Sequence, residues 1–200
     1  MDWYEAEVRE LVERCQAASP ADNSVIVFYG SSSIRLWGTL AQDFPDLPVR
    51  NLGFGGSTLE ACAHFFPRVV APCRPRSIVF YAGENDLGDG QPPARVIESF
   101  RALRRQVEAM PSAPPLALLS IKPSPARQHL YDTIVATNAA LYDEVIRWPG
   151  ASFIDVHTPM LRADGRPDPA LFADDQLHLS SAGYRLWTKL LNAHRVAFVR

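Results

Sequence analysis

Cysteine is scarce in this 200-residue chain, which holds only Cys15, Cys62 and Cys73. Their spacing fits no C-x-x-C zinc or redox pattern, and the odd count fits a reducing compartment. An excess of either charge is missing as well: 20 Lys and Arg stand against 22 Asp and Glu, for a net charge of −2. With no basic stripe along the chain, nucleic acid is a poor partner. No apolar run approaches the roughly 18 residues of a spanning helix. The N-terminus, Met-Asp-Trp-Tyr-Glu-Ala-Glu-Val-Arg-Glu, has neither the basic start nor the unbroken apolar stretch of a secretory signal. These absences lead us to expect a soluble, cytoplasmic protein without a membrane span.

Hydrophobic residues make up 47% of the chain and charged residues 21%, ordinary values for a globular protein. The length suits a single domain over residues 1–200, large enough to bury a core without metals or disulfides. Five short apolar runs recur, at Ser24–Tyr29, Pro48–Asn51, Ser77–Tyr81, Leu116–Ile121 and Ser152–Asp155. They are nearly continuous instead of alternating, the pattern of parallel strands covered on both faces.

Helical stripes lie around and between these runs. One comprises Tyr4, Val8, Leu11, Val12 and Cys15, a second Val96, Phe100, Leu103, Val107 and Met110. Two more are formed by Ile134, Leu141, Val145 and Trp148, and by Tyr184, Trp187, Leu190 and Leu191. The proline-rich stretches Pro111–Pro115 and Pro123–Pro125 suit loops. Alternating strands and helices predict a three-layer α/β/α sandwich around a five-stranded, mainly parallel sheet.

Ligands of such sheets bind beyond the carboxyl ends of the strands, so the residues after each strand carry the functional question. Gly30-Ser31-Ser32-Ser33-Ile34 follows the first strand. A hydroxyl here can face a substrate beside free helix N–H groups, but serines also cap helices, and Ser33 is read as such a cap. After the second strand comes Asn51-Leu52-Gly53-Phe54-Gly55-Gly56-Ser57. Thr58 stands where the dinucleotide fingerprint G-x-G-x-x-G needs its third glycine, and no G-K-[ST] follows to make a phosphate loop. In Gly83-Glu84-Asn85-Asp86, Asn85 can serve a turn or donate its amide to an oxyanion. Asp174-Asp175-Gln176-Leu177-His178 places a carboxylate three residues before a histidine, within reach of its Nδ1–H. That contact fixes the tautomer that accepts a proton at Nε2; alone it is equally a surface acidic loop.

Together the four loops supply, in order, a nucleophile, oxyanion donors and a base. This order resembles the SGNH (GDSL-type) hydrolase superfamily, whose marker residues fall here on Ser32, Gly56, Asn85 and His178, with Asp175 as the acid of the D-x-x-H block. The resemblance runs from the first strand to the last helix and is closest to small bacterial members. Gly-Ser-Ser-Ser-Ile replaces the name-giving G-D-S-L, so Ser31 stands where Asp is usual and that residue's role does not carry over. Ile34 breaks the G-x-S-x-G elbow of the α/β-hydrolases.

The resemblance implies a serine esterase. Ser32 would attack the ester carbonyl, His178 oriented by Asp175 would take its proton, and the N–H groups of Ser32 and Gly56 with the Asn85 amide would hold the oxyanion. Asp174 is expected to be nearly silent. This chemistry needs no metal or cofactor, and His64, His129, His157 and His194 show no ligand pattern. The expected partner is a small-molecule ester with a short acyl chain, such as an acetyl group on a sugar, and the residue pattern assigns no oligomeric state. The alternatives are an acyltransferase using the same site, a silent carbohydrate- or ligand-binding module, and, least favoured, nucleotide binding by Gly53–Gly56. Trp37, Phe54, Tyr81 and Leu87 are read as core or turn packing before pocket walls, and Lys122 and Arg127 as solvated loop charges before substrate contacts.

Overall fold

The computed structural model describes residues 1–17 and 25–199, with side chains omitted at 16 and 17. Five strands, β1 (Ile26–Gly30), β2 (Val49–Gly53), β3 (Ser77–Tyr81), β4 (Leu116–Leu119) and β5 (Ala151–Ile154), form one sheet in the order β2-β1-β3-β4-β5. Every pairing is parallel. All five apolar runs are therefore strands, shifted by one or two residues at most ends; the expected start at Ser24 lies outside the described residues. All residues of β1, β3 and β4 are buried, which is why these runs show no polar alternation.

Successive side chains of a strand point to opposite faces, and two apolar clusters result. Val27, Tyr29, Ile78, Phe80, Leu116 and Leu118 pack on one side, beneath helices α1 (Glu5–Ala17), α4 (Leu59–Val69), α6 (Pro93–Glu108) and α7 (Tyr131–Ile146). Ile26, Phe28, Val79, Tyr81, Ala117 and Leu119 pack on the other, beneath α2 (Ser32–Arg35), α3 (Leu40–Asp43) and α8 (Ser181–Ala193). A short helix, α5 (Glu84–Gly88), follows β3. The sandwich is thus three-layered. Trp37, Phe54, Tyr81 and Leu87 are all buried core residues.

α4 is a helix not among the stripes expected from the sequence, although Leu59, Cys62, Phe66 and Val69 repeat at helical spacing and the exposed Pro67 lies off that buried face. Proline has no N–H for the carbonyl four residues earlier. The Gln106 side chain on α6 donates to Ala63 O instead, at 2.9 Å, so a neighbouring helix restores what the proline removes.

Cys15 at the end of α1 is joined to Cys73, 58 positions later in the sequence, with Cα atoms 5.9 Å apart. Cys62 is free and buried. Disulfides persist in oxidising surroundings, so the cysteines do not support the reducing compartment that their odd count suggests. No described helix is long and apolar enough to cross a membrane.

Candidate active site

The carboxyl ends of β1, β2 and β3 lie side by side, with Gly30 paired to Gly53 on one flank and to Tyr81 on the other. Gly30 adopts φ +138°, and a Cβ there would stand 1.8 Å from Tyr81 O. Only glycine fits this turn. It swings the chain into α2 two residues earlier than the sequence suggests: Ser31 takes the N-cap position, without a side-chain cap bond, and Ser33 lies inside the helix. The expected Ser33 cap is therefore corrected. Ser31 and Ser33 are buried, whereas Ser32 is partly exposed at the first helical position, where a backbone N–H has no partner within the helix.

His178 stands in a tight turn before α8. Its carbonyl accepts from Ala173 N–H at 2.8 Å, and Gln176 sits in the left-handed region at φ +54°. Asp175 Oδ1 accepts the N–H groups of Leu177 and His178 at 3.0 and 2.9 Å. Its Oδ2 accepts from His178 Nδ1 at 2.6 Å. These bonds, the His178 contact foremost, lower the Asp175 pKa to about 2, so the carboxylate is ionised across the working pH range. The carboxylate on His178 is thus Asp175 and not its neighbour Asp174. On the far side of the ring, His178 Nε2 lies 3.0 Å from Ser32 Oγ, across 146 residues of sequence. The expected serine, histidine and aspartate form one hydrogen-bonded line.

Gly56 is exposed, at φ +63°, in the loop after β2. The N-terminal segment holds this loop: Glu7 Oε2 accepts Gly55 N–H at 2.8 Å, and the Tyr4 hydroxyl donates to Gly56 O at 3.1 Å. Glu7 also pairs with Arg35 of α2 at 3.4 Å. Across the loop, Asn85 Nδ2 donates to Ser57 O at 3.1 Å, and both Asp86 oxygens accept Leu59 N–H at 3.0 and 2.8 Å. The residues after β1, β2 and β3 thereby share one framework. Sequence alone marks Tyr4 only as part of an apolar stripe and gives Glu7 no role.

Lys122 and Arg127 correct a second expectation. Lys122 is 1% exposed and pairs with Glu84, 5% exposed. The Glu84 carboxylate also accepts from Ser124 Oγ and Tyr81 OH, each at 2.9 Å. Burial opposes both charges and pulls the Lys122 ammonium below its usual range; against the same burial, Lys122 and Arg127 hold Glu84 below the usual carboxylate range. Arg127 reaches back to Glu84 O and to Asn85 Oδ1, the latter at 3.0 Å. Neither side chain is a solvated loop charge, because β4 delivers this segment directly against α5. Lys122→Met should strip the buried Glu84 carboxylate of its ammonium partner, lowering stability by about 3–5 kcal/mol. Urea unfolding measures this; a loss below about 1 kcal/mol would mean that the pair does not hold the loop.

Residues 23–186 match the GDSL-like Lipase/Acylhydrolase family. The chain belongs to that family. It is accordingly a serine hydrolase. No curated protein matches its sequence. Among solved structures, the hydrolase is similar to a candidate platelet activating factor from Streptococcus pneumonia, with a TM-score of 0.83 and 20% identity over 96% of this chain and 94% of the other. A GDSL-like lipase from Bacteroides thetaiotaomicron gives 0.82 and 19%, over 94% and 97%. A carbohydrate esterase family 3 protein from Talaromyces cellulolyticus gives 0.70 and 15%, over 86% and 96%. At such identities the likeness shows the fold alone.

Proposed function

We propose that this hydrolase cleaves small esters of short acyl chains through an acyl-enzyme on Ser32. The observation that carries this is the line from Asp175 Oδ2 to His178 Nδ1 at 2.6 Å and from His178 Nε2 to Ser32 Oγ at 3.0 Å. With its proton held at Nδ1, His178 has a free lone pair at Nε2 for the Ser32 hydroxyl proton. Ser32 Oγ attacks the ester carbonyl, and His178 passes that proton to the departing alkoxide. Water, deprotonated by the same nitrogen, then releases the acid and restores Ser32. The oxyanion of each tetrahedral intermediate is assigned to the N–H groups of Ser32 and Gly56 and to the Asn85 amide.

Two observations favour hydrolysis of short esters. The side chains of His178 and Asp175 are 29% and 50% exposed, so water reaches the base, which favours hydrolysis over transfer to another alcohol. Trp37, Phe54, Tyr81 and Leu87 are packed in the core and are not available to wall a long acyl channel. The likeness to a carbohydrate esterase is compatible with an acetylated sugar as substrate.

A p-nitrophenyl ester series from acetyl to palmitoyl tests this reading. The rate is expected to peak at acetyl or butyryl. A peak at decanoyl or longer would overturn the short-chain assignment, and a rate at background throughout would favour a silent binding module on the same fold.

A further inference from the structure

Arg127 belongs to the short helical segment Pro125–Leu130, which is fastened to the His178 turn by Ala126 N–H donating to Gln176 O at 3.1 Å. From there its guanidinium crosses to α5. One nitrogen donates to Glu84 O and the other to Asn85 Oδ1 at 3.0 Å. The Lys122 ammonium is the direct partner of the Glu84 carboxylate, whereas the guanidinium hydrogen-bonds the Glu84 main-chain oxygen and the Asn85 side chain.

An asparagine amide has one acceptor oxygen and two N–H donors. Here the oxygen is taken by Arg127 and one N–H by Ser57 O at 3.1 Å. One N–H is left. A flipped amide would present its oxygen to the developing oxyanion and repel it, and Arg127 opposes that flip by binding the oxygen where it stands. A charge-assisted bond to the oxygen also polarises the remaining N–H. The route of the guanidinium depends on Gly88, where a Cβ would lie 2.5 Å from Arg127 Cζ and 2.8 Å from both terminal nitrogens.

We propose that Arg127 is a positioning residue for ester hydrolysis, acting through Asn85 with Gly88 as the bare surface it lies on; this rests on Asn85 being the oxyanion donor assigned above. The test is p-nitrophenyl acetate kinetics for the wild type, R127M, N85A, the R127M/N85A double variant and G88A. R127M is expected to lower kcat by about 10–100-fold, the usual cost of losing the partner that orients a reacting group, with KM changed by less than about 2-fold because the bond matters in the transition state. In the N85A background R127M should cost nothing further, since residues acting as a unit are not additive. G88A should reproduce much of the R127M loss while keeping the wild-type Tm.

An unchanged kcat in R127M, or the same loss in both backgrounds, would overturn the role of Arg127. If R127M does not fold, an unchanged kcat in G88A would do so. A fall in R127M with none in N85A would instead strike at the oxyanion assignment and remove the proposal with it. So would a wild-type enzyme no faster than the uncatalysed reaction, which would first remove the esterase reading.

Discussion

Ser32→Ala should lower the kcat of ester hydrolysis by on the order of 10⁶-fold, the loss expected when a serine nucleophile is removed from its base. A residual rate about 10³–10⁴-fold above water should survive, from oxyanion stabilisation and binding alone. Neighbouring hydroxyls offer no substitute. Ser31 and Ser33 are 3% and 2% exposed. The hydroxyl lost belongs to a partly exposed residue and hydrogen-bonds His178, so the Tm should stay within a few degrees of wild type, a shift worth less than about 1 kcal/mol. Initial rates on p-nitrophenyl acetate, corrected for spontaneous hydrolysis, measure the effect. A loss of less than 100-fold would require a different nucleophile.

His178→Ala should cost about as much, again on the order of 10⁶-fold, and the Ser32→Ala/His178→Ala double variant should be no worse than either alone. The reason is mechanical. Without Nε2 at 3.0 Å, Ser32 is an ordinary alcohol, and without Ser32 the imidazole has no proton to take. Asp175 is then left as an ionised carboxylate bound only by backbone N–H groups. Multiplying losses in the double variant would mean that the two side chains act in separate steps.

The parts of the molecule legible in the sequence are those encoded locally. β1, β3 and β4 are buried on both faces, so composition alone marks them. The stripes of α1, α6, α7 and α8 repeat at helical spacing because each helix covers one face of the sheet. Asp175 and His178 are three residues apart, and their contact needs only one turn. What stayed hidden is carried by distant pairs. The Cys15–Cys73 bridge spans 58 residues, and Lys122 finds Glu84 38 residues away because β3 and β4 are adjacent in the sheet. Arg127 reaches Asn85 across 42 residues for the same reason. A basic residue in a proline-rich loop looks solvated until the topology shows which helix lies against it. The Ser33 cap differs for a more local reason: the turn at Gly30, at φ +138°, starts the helix two residues earlier, which leaves Ser33 buried inside it and Ser32 partly exposed at its first position.

The central claim is that Ser32 carries the acyl group, and active-site labelling tests it most directly. The wild type would be treated with a fluorophosphonate, digested, and the adduct located by tandem mass spectrometry. The account predicts one stoichiometric adduct on Ser32, absent from Ser32→Ala and formed far more slowly in His178→Ala. An adduct on Ser31, Ser33 or any other residue, or undiminished labelling of Ser32→Ala, would contradict it.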